Sequence, residues 1–222
     1  MNKILSRLEA LGYRRTKLDI SKPIIIHSVA GSGKTTLIEK ISKEISSVSA
    51  YTTATARKDL SGTLIEKFPC KLADCQIKIL DEYPLAEKSD FCKFDLLFCD
   101  PYQYSSNTEQ AHYILEDSFR IGRETSAFLR KIGFSIQSTK EDIFKEENIY
   151  RGEPEGVVIC NSSEVSKLLE RHSLEFKFYC EVIGEEFDTV TFVTEKSLEE
   201  IGDYKDYICL TRHSRKLKIL HT

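Results

Sequence analysis

The chain has 222 residues, which at roughly 100–200 residues per domain is one large domain or two small ones. Apolar residues make up 41% and charged residues 30%, which excludes a disordered chain; ten Gly and five Pro exclude collagen-like and Pro-rich architectures. Lys plus Arg is 32 against 35 Asp plus Glu, a formal net charge of −3, so any nucleic-acid site must be a local basic groove rather than a global attraction.

Met1 to Tyr13 carries Ile4, Leu5, Leu8 and Leu11 at helical spacing. It reads as a short amphipathic helix that packs on its own core, with a membrane surface or a partner as the alternatives. Met1 to Thr16 has charges throughout and no apolar signal-peptide core. Apolar runs such as Pro23 to Ile26 and Leu96 to Cys99 fall far short of the ~20 residues of a transmembrane helix. After the basic linker Arg14, Arg15, Lys17, the run Pro23 to Val29 reads as a strand buried on both faces of a parallel sheet. It meets Ala30-Gly31-Ser32-Gly33-Lys34-Thr35-Thr36, and a helix follows with Leu37, Ile38, Ile41 and Ile45 on one face.

Residues 28 to 35 match the phosphate-loop pattern G-x-x-x-x-G-K-[ST], with Ser28 in place of the first Gly. Backbone N–H groups must close around phosphate oxygens, which demands bare positions at Gly31 and Gly33. Lys34 neutralises the β- and γ-phosphates and the Thr35 hydroxyl coordinates Mg²⁺. Ala30, Gly31, Ser32, Gly33, Lys34, Thr35 and Thr36 are therefore the expected nucleotide-binding residues. A second strand, Gln76 to Leu80, ends at Asp81-Glu82, giving Asp81 as the Mg²⁺ carboxylate and Glu82 as the proton acceptor for an attacking water. A third, Asp95 to Cys99, ends at Asp100-Pro101-Tyr102-Gln103, where Gln103 either senses the γ-phosphate or sits in a plain Pro turn. Each strand delivers polar groups at its C-terminal end, where ligands bind in open α/β sheets.

The polar stretch Ser105 to Glu109 reads as an inter-domain linker, dividing residues 1–110 from 111–222. Beyond it, strands are expected at Ala111 to Leu115, Gly156 to Cys160, Phe176 to Cys180, Thr189 to Val193, Tyr207 to Leu210 and Leu217 to Leu220. Helices are expected at about Arg123 to Ile132, stopped by Gly133, and at Ser163 to His172. Lys140 to Glu155 reads as a charged surface loop. Arg212, His213, Arg215, Lys216 and Lys218 form either a basic RNA edge or the polar face of a last strand, the alternation favouring the strand. His27 reads as a satisfied core residue. The seven cysteines lack zinc spacing and read as reduced, mostly buried, and cytosolic. The fold class is α/β, two units with mostly parallel sheets.

With A-x-x-G-S-G-K-T, D-E-Y and D-P-x-Q in this order, the chain resembles superfamily 1 helicases of positive-strand RNA viruses. More narrowly it resembles the first proteins of the plant-virus triple gene block, of potexvirus and carlavirus type. The similarity runs through KPIIIHSVAGSGKTT, ILDEYP, LLFCDPYQY, YILEDSFRIGRET, FDTVTF and CLTRH. It implies two RecA-like units with a nucleotide cleft between them, ATP and Mg²⁺ as cofactors, and RNA-helicase activity. It implies Arg120, in Ser118-Phe119-Arg120, and Arg212, in Leu210-Thr211-Arg212-His213, as arginines reaching the γ-phosphate. It also implies single-stranded viral RNA as partner, with the triple-gene-block membrane proteins, coat protein and self-association as further contacts. The roles implied are cell-to-cell movement and suppression of RNA silencing, in host cytoplasm. The segment Gly184 to Val190 resembles the fifth motif but places Glu185 and Glu186 where a phosphate backbone would pass. Thr52, Thr53, Thr55, Arg57 and Lys58 either hold RNA phosphates or form an ordinary strand with a solvated end. The competing reading is an RNA-binding movement and silencing-suppressor protein with a vestigial or regulatory ATPase. A phosphate-loop kinase would leave Glu82, Gln103 and Arg212 without shared work, and a GTPase would want an N-K-x-D-type base reader.

Overall fold

The structure is a computed structural model describing residues 1–59 and 62–222. Two compact units divide the chain between Glu116 and Asp117.

The first unit begins with helix α1 (Asn2–Ala10), whose Ile4 and Leu8 are buried in the unit's own core. Strands β1 (Arg14–Arg15) and β2 (Ile24–Ser28) precede helix α2 (Lys34–Glu44). Then come β3 (Val48–Thr52), β4 (Arg57–Asp59), β5 (Gly62–Lys67), β6 (Ile77–Asp81), β7 (Leu96–Cys99) and β8 (Tyr113–Leu115). The sheet order is β1-β8-β2-β7-β6-β3-β5-β4, parallel except at the β1–β8 and β4–β5 edge pairs. All five residues of β2 are buried, because helices and loops cover both faces of a parallel sheet. The period-two pleat sends Ile24 and Ile26 into one core with Leu37, Ile38 and Ile41 of α2, and Ile25 into the opposite core with Tyr51, Leu80 and Leu97. Truncating Ile26 to Ala would cost about 2–5 kcal/mol, since the side chain is fully buried in this core.

The second unit runs α3 (Arg123–Lys131), β9 (Ile143–Asn148), β10 (Val157–Cys160), α4 (Ser163–Arg171), β11 (Lys177–Phe178), β12 (Phe187–Val193), α5 (Tyr204–Leu210) and β13 (His213–His221). Its sheet, β11-β10-β12-β13-β9, is parallel throughout. Gly133, at φ 97, ends α3 in the left-handed conformation. The Ser162 hydroxyl caps α4 by accepting from the Val165 N–H at 3.2 Å. Asp142 reaches back to the start of α3 and accepts from the Gly122, Glu124 and Thr125 N–H groups. A Cβ on Gly122 would lie 2.2 Å from the Asp142 carboxyl carbon, so this close approach requires glycine there.

Several expectations are corrected. The boundary falls after Glu116 rather than after residue 110, because Tyr113–Leu115 pairs in parallel with Ile26–Ser28 and belongs to the first sheet. Tyr207–Leu210 is helix rather than strand: Asp203 caps it through the Lys205 and Asp206 N–H groups, and a short apolar run reads alike in a buried helix and a buried strand. The charged segment Lys140–Glu155 is no plain loop, since Ile143–Asn148 pairs with β13 along one sheet edge. The expected Phe176–Cys180 strand shrinks to Lys177–Phe178 and turns into a 3-10 helix over Tyr179–Val182. Of the cysteines, Cys99, Cys160 and Cys209 are buried while Cys70, Cys92 and Cys180 are exposed, so they are less buried than expected; all are unpaired.

Candidate functional site

The loop Ala30–Gly33 joins β2 to α2, with Gly31 at φ 73 and Gly33 at φ 80. These left-handed positions turn the chain sharply, and the space beside Gly33 is open, so backbone conformation rather than crowding demands glycine there. Helix α2 has no side-chain cap and no acidic residue in its first turn, which holds Lys34, Thr35 and Thr36. Its N–H groups and positive end suit an anion. The Ser32 hydroxyl in the loop is buried without a hydrogen-bond partner among the described residues. Both features fit a bound phosphate.

Lys34 is buried, its Nζ 3.4 Å from Asp81 Oδ1 and against the Glu82 carboxylate. Burial works against its charge, but Asp81 and Glu82 outweigh it and raise the Lys34 pKa. Burial pushes the Asp81 carboxyl up; Lys34 opposes the rise and Glu82 adds to it. Thr35 and Asp81 offer the hydroxyl and carboxylate oxygens that suit Mg²⁺, which commonly takes one or two carboxylates and keeps several waters.

Glu82 follows β6 at φ 56 and ψ 41, an uncommon conformation for a non-glycine residue. Its N–H donates to Asp81 Oδ1 at 3.1 Å, and its carbonyl accepts from the Thr53 hydroxyl at 2.5 Å. Its carboxylate takes Lys34 on one oxygen and the Tyr104 hydroxyl on the other. Gln103 donates from its amide to Asp100 Oδ2 at 2.9 Å. Burial pushes the Asp100 carboxyl up, opposed by Lys34. His27 is buried with Nε2 3.1 Å from the Tyr83 hydroxyl, and burial with the Lys34 charge lowers its pKa to about 4, which keeps it neutral. This agrees with a core role.

The loop, Lys34, Asp81 and Glu82 are thus brought together, with Gln103 held by the neighbouring Asp100. Sequence reasoning missed Tyr104 and the Thr53–Glu82 contact. The only signal was that Tyr104 directly follows Gln103. Thr52 and Thr53, for which RNA contact and an ordinary strand were both open, use their hydroxyls on backbone, Thr52 Oγ1 accepting from the Ala54 N–H at 3.0 Å. Arg57 and Lys58 are exposed.

In the second unit, Arg120 donates to the Thr211 carbonyl at 2.8 Å and lies 3.4 Å from Glu186, while its Nε is buried without a partner among the described residues. Arg212 is 2% exposed. Its Nε donates to the Ile208 carbonyl at 3.1 Å and its other nitrogens to the Val182 carbonyl and the Thr211 hydroxyl. The C-terminal basic residues make no open edge. Arg215 pairs with Asp188, Lys216 with Glu155, and Lys218 with Glu147. Glu185 and Glu186 carry Lys177 and Arg120 as partners.

Among the described residues no helix is long and apolar enough to cross a membrane. The model of the viral superfamily 1 RNA helicase core domain matches residues 24–221. The chain is 42% identical to the movement and silencing protein TGBp1 of Apple stem pitting virus, covering 99% of both chains. It is 34% identical to the same-named protein of Indian citrus ringspot virus, over 96% of this chain and 93% of that one. The fold is similar to an arterivirus nonstructural protein 10 helicase in complex with DNA, at TM-score 0.64 and 14% identity, covering 99% of this chain and 62% of that one. A second structure of that helicase gives TM-score 0.55 at 13% identity, and the chain spans 56% of it. The chain belongs to the viral superfamily 1 RNA helicases, beside the movement and silencing proteins TGBp1.

Proposed function

We propose that this chain is a plant-virus RNA helicase that hydrolyses ATP with Mg²⁺, binds single-stranded viral RNA in the host cytoplasm, and serves virus movement and suppression of RNA silencing. The observation that carries the enzymatic part is Lys34 at the N-terminus of α2, buried between Asp81 and Glu82. That trio puts a cation for phosphates, a metal carboxylate and a proton acceptor at one sheet edge. The TGBp1 names of the relatives carry the biological part.

The residues divide the work by chemistry. The loop N–H groups from Ala30 to Thr36 hold phosphate oxygens, and Lys34 exchanges its carboxylate partners for them. Thr35 and Asp81 would hold Mg²⁺, which when bound shields the phosphate charge. Glu82 accepts a proton from water, and Gln103 orients that water or the γ-phosphate. Arg120 and Arg212 are the arginines proposed to stabilise transition-state charge. ATP hydrolysis measured with and without single-stranded RNA tests the reading: RNA-stimulated turnover is expected, and no turnover under either condition removes it.

A second reading, an RNA-binding movement and silencing-suppressor protein with a vestigial ATPase, draws on Arg212. Its guanidinium is engaged by carbonyls and a hydroxyl of its own unit.

A further inference from the structure

The Glu82 carboxylate is held by more than its own backbone. Residues Pro101–Gln103 form a 3-10 turn capped by Asp100, whose Oδ1 accepts from the Tyr102 N–H at 3.2 Å. That turn delivers Tyr104 back over the sheet edge, where its ring packs against the core formed by Tyr51, Leu80, Tyr83 and Leu97. Its hydroxyl donates to Glu82 Oε2, while Lys34 occupies Oε1. Burial first, and then the neighbouring Glu82 charge, raise the Tyr104 pKa, so the hydroxyl keeps its proton and stays a donor. The Glu82 backbone is fixed at the other end by Thr53 and Asp81, in a left-handed conformation that few residues adopt unaided.

We propose that Tyr104 is the positioning residue for Glu82: its hydroxyl holds the carboxylate in place for water activation once Lys34 has turned to the nucleotide phosphates. This rests on the proposed ATPase reading. Incoming phosphates compete for the Lys34 ammonium, which is shared between Asp81 and Glu82, so nucleotide binding weakens its hold on the Glu82 carboxylate. A glutamate side chain has three rotatable bonds to lose, and an unrestrained carboxylate samples orientations that cannot reach the water. The Tyr104 ring is anchored in the core and does not travel with Lys34, so its hydrogen bond survives that exchange. No proton is transferred through Tyr104; it acts only through Glu82.

The test is a double-mutant cycle on the full chain with Tyr104→Phe, Glu82→Gln and the pair. Three quantities are read: kcat and KM for hydrolysis of Mg²⁺-ATP, affinity for methylanthraniloyl-ATP by fluorescence titration, and the urea midpoint of the nucleotide-free protein. Tyr104→Phe is expected to lower kcat about tenfold, the effect of one lost hydrogen bond to a charged group. KM and analogue affinity should change less than about twofold, because Tyr104 does not touch the nucleotide. In the Glu82→Gln background the same substitution should leave kcat unchanged, and the urea midpoints should show the same non-additivity without any turnover. Full additivity in both kcat and midpoint overturns the proposal and leaves Glu82 as the base. A parallel fall of affinity and kcat also overturns it, by making Tyr104 a nucleotide contact. Wild-type turnover by Glu82→Gln overturns the use of Glu82 in the proposed function, and this proposal with it.

Discussion

Lys34 Nζ lies 3.4 Å from Asp81 Oδ1, with both side chains buried, so the two charges offset each other at the end of the sheet where the loop opens. Removing Lys34 leaves two carboxylates facing each other in a place that water reaches poorly, whereas removing Asp81 leaves Lys34 with Glu82 as its partner.

Lys34→Ala is expected to abolish hydrolysis and also to lower stability by about 3 kcal/mol, the low end for breaking a buried ion pair. The loss is limited because Asp81, its pKa already pushed up by burial, can take up a proton. Hydrolysis and urea unfolding on the same sample check both parts. Normal turnover by the variant would remove the phosphate-loop assignment.

Glu82→Gln is expected to bind Mg²⁺-ATP with near-normal affinity and to hydrolyse it at least about a hundredfold more slowly, the low end for losing a general base. The single amide oxygen can accept from Tyr104 or from Lys34 but not both, since the two donors sit on different carboxylate oxygens, so the variant keeps its bulk and loses one hydrogen bond. Equilibrium binding beside single-turnover hydrolysis separates the two effects. If hydrolysis is unaffected, water activation belongs to another residue.

Arg212→Ala is expected to destabilise the second unit by about 2–3 kcal/mol, because the Ile208 and Val182 carbonyls lose a charged donor in a buried place. In the motor reading, turnover per folded molecule also falls about 10³-fold, whereas ATP affinity falls much less. Arg212→Lys should restore neither fully, lacking the planar fork. Unchanged turnover with weakened RNA binding would take Arg212 out of hydrolysis and favour the binder. Arg120→Ala is the companion variant, since the Arg120 guanidinium donates to the Thr211 carbonyl of the same unit.

Single-stranded RNA binding is expected to fall with salt. Removing the exposed Arg57 and Lys58 together should make the slope of log K against log salt shallower by about 1.4, at about 0.7 for each phosphate neutralised. Lys216→Ala should leave the slope alone, because Lys216 is already paired with Glu155. The reverse pattern would move the RNA track to the C-terminal strand.

Asp142 gives an acid-stability prediction. Burial alone would raise its pKa, but hydrogen bonds from His213, Thr125 and the Glu124 and Thr125 N–H groups bring it down to about 2. A carboxylate with a depressed folded pKa contributes stability that is fully present above its unfolded value of about 3.9 and is lost as pH falls through about 2. Asp142→Asn should cost about 1–2 kcal/mol at neutral pH, as for a lost helix cap, and should flatten the pH dependence between about 4 and 2. Urea unfolding of the second unit's signal across that range reads both effects.

The sequence by itself determined what local chemistry encodes. The run Pro23–Val29, apolar on both faces and ending in a glycine loop, suits a covered strand, and the glycines of the loop suit a turn with a bare backbone. The strands ending at Asp81 and Asp100 placed acidic groups at the edge where the loop opens, because parallel strands share their C-terminal ends. Only the tertiary structure decided the rest, for reasons of distance along the chain. Tyr113–Leu115 belongs to the first sheet because its partner is Ile26–Ser28, which no local pattern reveals. Tyr207–Leu210 is helical because Asp203 caps it and surrounding packing buries every face. The alternation in the basic tail favoured a last strand, but only the folded chain shows its charges met, with Lys216 on Glu155 and Lys218 on Glu147. Tyr104 joins Glu82 because a 3-10 turn folds one strand's loop onto the next, and side-chain contacts of that kind follow from packing rather than periodicity.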